Sequence, residues 1–126
     1  MGTSRERGSA ALEFAMVLPI LLILTLAVVQ VGLIVRDELV LVGAARAGAR
    51  EAAVTSDDDA VRAAIARAAP ALDADRIDAD ISRSKRGDPA TVGLTYEAPV
   101  AMPFVGWLFP STITLRATGA MRQEFG

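Results

Sequence analysis

The sequence predicts an α+β fold: a long N-terminal helix crosses a membrane and continues into a small domain with a second helix and a three-stranded antiparallel sheet. Three observations carry that prediction. Residues 14–35 form one uncharged apolar run, two Ala-rich stretches step by three and four, and three later segments alternate apolar with polar residues. A chain of 126 residues has room for one small domain and an anchor.

Composition narrows the function classes. Hydrophobic residues make up 52% of the chain, and its mean hydropathy is +0.39. The net charge is -2 with the charges dispersed, so no basic patch is set up to neutralise a nucleic-acid backbone. The absence of Cys removes disulfides, thiolate metal sites and a lipidated cysteine. The absence of His removes the commonest metal ligand and the commonest general base near neutral pH. No cofactor is expected. Catalysis would fall to carboxylates or a Ser–Lys pair. Ser84 and Lys85 are adjacent in an expected turn, which is the wrong spacing for a Ser-x-x-Lys nucleophile. The chain therefore does not read as an enzyme.

The run from Phe14 to Val35 holds 22 residues without a charge. At about 1.5 Å per residue a helix of this length spans the ~30 Å hydrocarbon layer. Under a hundred residues follow it, too few to bury so long an apolar rod on every side. The run also exceeds the ~7–15 apolar residues of an ordinary secretion signal. Arg5 and Arg7 precede it, which by the positive-inside rule places the N-terminus in the cytoplasm and residues from about 37 onward outside. Pro19 predicts a kink near residues 15–19, because it removes one helical hydrogen bond.

Just before the run stands Arg7-Gly8-Ser9-Ala10-Ala11-Leu12-Glu13-Phe14. Glu13 is a carboxylate at the start of an apolar helix, where desolvation is costly and the helix dipole gives partial compensation. The string of Gly, four residues, Glu and an aromatic at the edge of a membrane helix resembles the processing site of type IV pilins, in the Flp/Tad variant. Ala11–Pro19 and Gly43–Ala53 further resemble TadE-like proteins, minor pseudopilins of tight-adherence pilus systems. The resemblance implies a pilin-like fold and a prepilin peptidase that cuts between Gly8 and Ser9. Residues 1–8 would be the leader, 9–36 the anchor and 37–126 the outer domain. Glu13 and Phe14 would act in assembly, with Glu13 pairing to the Ser9 amine of a neighbour. The implied partners are the peptidase, an assembly platform, other pilins and membrane lipid. The implied location is the inner membrane, in a single pass, or the pilus. An unprocessed single-pass protein whose outer domain binds another envelope component is the alternative.

Helix is expected to continue to about Val54, with an apolar stripe through Val35, Leu39, Val42, Arg46, Ala49 and Ala53. Gly43, Ala44, Ala47 and Gly48 make a small-residue face, suited to the helix's own domain or to a neighbouring subunit. A second helix follows Thr55-Ser56, with Ser56 as its cap, Asp57, Asp58 and Asp59 on its dipole, and Pro70 as its stop. Three consecutive carboxylates do not converge on a cation as calcium-loop ligands do.

Strands are predicted around Ile77–Ile81, Val92–Tyr96 and Ile113–Ala117, with the first two joined by the turn Ser84–Pro89. Pro99–Pro110 holds three prolines and most of the aromatic mass, including Phe104, Trp107 and Phe109. A loop this apolar covers the sheet, touches the membrane or meets a partner. Covering the sheet is the first expectation, and Phe104, Trp107 and Phe109 are candidate interface residues on the other two.

Overall fold

In the computed structural model, which describes residues 3–103 and 105–123, one helix runs without interruption from the N-terminal tail into the domain. This is α1, Thr3–Val54, 52 residues and about 78 Å long at 1.5 Å per residue. It passes through Pro19 and carries the whole apolar run. Its most hydrophobic window has a mean hydropathy of 2.7 and no buried residue. That length and composition fit a single-pass membrane anchor. Burial begins only near the other end, at Leu41, Ala44, Ala45, Gly48, Ala49, Ala52 and Ala53.

α2 spans Asp58–Ala68 and packs beside α1 through Val61, Ala64 and Ile65. The expected Ser56 cap is corrected by one position. Asp57 is the cap residue and its Oδ1 accepts from the Asp59 N–H at 3.0 Å, while Thr55 Oγ1 accepts from the Asp57 N–H at 3.1 Å. An aspartate fits that place because its side-chain oxygen reaches an orphan N–H of the first turn and its charge complements the dipole.

The sheet comprises β1 (Ile77–Ser82), β2 (Pro89–Pro99) and β3 (Thr112–Arg122), antiparallel in the order β1-β2-β3. In register, Ala79 faces Leu94 and Leu94 faces Ala117. β2 and β3 outrun the predicted segments at both their shared ends. Pro89 and Pro99 close β2 at its two termini, where a missing N–H is tolerated. The β1–β2 turn has Gly87 at φ +93, a conformation only glycine takes without strain. That turn is tied to the chain after β3, because Gln123 N–H donates to Asp88 O at 2.9 Å.

The core lies between α1 and the inner sheet face. Leu41, Val61, Val92 and Leu94 are its fully buried larger side chains, with alanines filling the narrow space along the helix. Gly119 lets the two layers touch: a Cβ there would overlap the Ala45 carbonyl of α1. The inner face of β2, Ala90, Val92, Leu94, Tyr96 and Ala98, is buried throughout. Its period of two is the alternation the sequence predicts.

The loop between β2 and β3 does not cover the sheet. Trp107 is 83% exposed, Leu108 62% and Phe109 42%. The sheet-covering expectation fails because α1 already occupies the inner face of β2 and β3. Phe104 lies outside the described residues.

Candidate processing and assembly site

The N-terminal site is presented on bare helix. Every described residue from Thr3 to Thr25 on α1 is exposed, so nothing in the domain shields Gly8, Ser9, Glu13 or Phe14. A Cβ on Gly8 would meet nothing within 4 Å, which leaves its backbone open to close approach by another protein. Ser9 and Glu13 are four residues apart and so share one helix face, about one turn from each other. Among the described residues no cation lies within ion-pairing reach of Glu13; the ion pairs there are Arg76–Asp73 at 3.5 Å and Arg83–Asp58. Phe14, 63% exposed, opens the apolar surface that follows.

The small-residue face divides in two. Ala44 is fully buried and Gly48 is buried, where a Cβ would come within 2.7 Å of Ile65 Cγ1. Gly48 seats α1 on its own α2 and β2, and Ala44 belongs to the same core, so as candidate interface positions they are corrected to core. Gly43 is exposed and Ala47 half-buried. With Arg46, Arg50 and residues Thr118–Met121 they line a groove of about 440 Å³ between α1 and β3. Trp107 and Phe109 are presented to the surroundings at the far end of the sheet.

Two residues that organise the domain escape sequence reasoning. Arg83, just past β1, donates from Nε to the Ala52 carbonyl at 3.4 Å and from Nη1 to Asp58 Oδ1. α1 has no basic residue of its own in its last turn, so Arg83 brings the cation that a helix C-terminus favours. Gly119 is the other. Its signal is a glycine at an inward position of an alternating strand, which marks close backbone approach.

A family model, TadE-like protein, matches residues 8–50. This segment is TadE-like. The matched stretch begins at Gly8, takes in Ser9, Glu13 and Phe14 with the apolar run, and ends on the part of α1 that packs against the sheet. The TadE-like segment is thus about a third of the chain and lies wholly within one helix. No curated protein and no solved structure matches the chain significantly.

Proposed function

We propose that this chain is a minor pilin-like subunit that helps initiate or build a Tad/Flp-type pilus after a prepilin peptidase removes its leader. The observation that carries this reading is the Gly8-x4-Glu13-Phe14 string, exposed on α1 at the head of the apolar run and inside the TadE-like segment. Hydrolysis of the Gly8–Ser9 peptide bond frees an α-amine at Ser9. That amine starts one turn from Glu13 of its own chain, and on assembly a neighbour's Glu13 takes it over. Pairing removes two charges that are each expensive beside lipid. The reading places the protein in the inner membrane with its N-terminus inside, before incorporation with other pilins on an assembly platform. It assigns no catalytic role. The intact mass of the protein recovered from pilus-producing membranes tests it. The expected mass lacks residues 1–8; recovery with Gly2 still attached would leave the unprocessed single-pass alternative in its place.

A further inference from the structure

The uncharged connection between β2 and β3 has a defined height along the anchor. Arg83, which follows β1, bonds the Ala52 carbonyl, and Ser82 of β1 pairs with Thr91 of β2. β2 therefore starts beside the C-terminal end of α1. From Ala90 to Ala98 it then covers roughly 26 Å at ~3.3 Å per residue. α1 covers about the same distance, ~27 Å, between Ala52 and Ile34 at 1.5 Å per residue. Ile34 does pack against the domain core. Ile34 also belongs to the apolar run that ends at Val35. A stripe of half-buried residues continues down α1 through Gln30, Ala27 and Leu26, while the neighbouring Val28, Val29 and Val31 are exposed. The loop after β2 thus emerges level with the outer part of the membrane segment.

Its chemistry suits that place. Residues 98–115 carry no charge. Trp107, Leu108 and Phe109 project outward from the short 3-10 turn Gly106–Leu108. The turn satisfies part of the loop's own backbone, with Leu108 N–H on Val105 O at 2.9 Å and Val100 N–H on Ser111 O at 2.9 Å at the loop's base. Internal hydrogen bonding matters near lipid, where open backbone groups are costly. An irregular loop does not enter the hydrocarbon centre for the same reason, whereas Trp favours the headgroup boundary.

We propose that this loop inserts into the interfacial layer of the bilayer beside its own anchor helix, so that the domain grips lipid at a second point. The inference needs only that α1 spans a bilayer, and it does not depend on cleavage at Gly8. Trp107 is the sole tryptophan, so the unmodified full chain reports on the loop directly. It is reconstituted at high dilution into vesicles of phosphatidylethanolamine and phosphatidylglycerol that carry bromines at chosen acyl positions. Bromines near the headgroup end should remove about half of the emission, and bromines near the chain ends less, as for an interfacial indole. Acrylamide in the water should have little effect. Emission untouched by brominated lipid and freely quenched by acrylamide would overturn the proposal and leave the loop as a protein-binding surface. Stronger quenching by the deep bromines would overturn the interfacial depth. Emission changes that grow with protein density in the membrane would point to a second copy of the chain and overturn it as well.

Discussion

Gly119 is where a single atom decides the packing of the domain. Its missing Cβ lets β3 lie against the Ala45 carbonyl, and backbone on both sides leaves nothing flexible to give way. Gly119→Ala should therefore cost about 2 kcal/mol, in the range for overpacking a core. Thermal unfolding of the full chain in detergent micelles, followed by circular dichroism, checks this. Gly43→Ala is the comparison. Open space surrounds it and helix propensity favours Ala, so stability should stay within about 1 kcal/mol or rise. The alternation of β3 marks Gly119 as an inward glycine, but its contact is with Ala45, a residue far along the chain that no local pattern encodes. Gly87 is different: the turn Ser84–Pro89 announces a glycine that bends the chain, and the bend is local. At Gly8 the expected outcome concerns another protein. Gly8→Phe should leave the chain folded and inserted but uncut, as a precursor band of undiminished mass.

At the scale of elements, α1 joins two tasks in one rod. Its first half is exposed and apolar, and its alanine-lined end packs into the core. Glu13 is far from that core, so Glu13→Ala should leave folding and cleavage unchanged. Incorporation with other pilins should fall, and Glu13→Gln, which keeps size and loses charge, should fall alike. Co-purification of pilus components with each variant measures it; wild-type recovery in both would show the carboxylate to be an ordinary interfacial residue. The elements themselves were largely legible. The apolar run, the α2 stop at Pro70 and three alternating strands all follow from period and punctuation. The parts that were not legible depend on pairing. β3 continues through Gly119 to Arg122 because β2 offers partners as far back as Pro89. Arg83 finds α1 and α2 only once the pairing of β1 with β2 has carried it to the ends of the two helices. Arg83→Ala should lower stability by about 1 kcal/mol, more than Asp58→Asn, because the Ala52 carbonyl loses its cation while Asp58 is half in water.

For the whole molecule, the domain stands on one side of its membrane segment, and the expected side is outside the cytoplasm. Ser84 is exposed in the β1–β2 connection. A Ser84→Cys variant, whose thiol is the chain's first, should react with an impermeant maleimide in spheroplasts. Reaction only after the membrane is opened would reverse the orientation. The site residues show the same division as the fold. The Gly8–Phe14 string is short and contiguous, so as a candidate it is proposed from the sequence, and the structure adds only its exposure. The face at residues 43–48 was ambiguous, because small residues serve a core and an interface equally well, and only the position of α2 assigns Gly48. The aromatic loop was misplaced for a related reason. Hydrophobicity asks for cover, but it does not say whether protein or lipid provides it.

The unbroken course of α1 also makes the molecule a clock hand. Because one continuous helix joins Glu13 to Ala45, 32 positions at about 100° each set the bearing of Glu13 to within roughly 40° of the direction in which Ala45 meets β3. Glu13 and the sheet are thus phased to one another by counting residues. One alanine inserted after Leu22 would turn the domain by about 100° relative to Glu13 while moving it only ~1.5 Å along the axis. Four would restore the bearing to within about 40° and move it ~6 Å. If neighbouring subunits read both ends at once, the single insertion should disrupt incorporation more than the fourfold one. A protein that transmits orientation in this way needs no moving part, only a helix that is never interrupted.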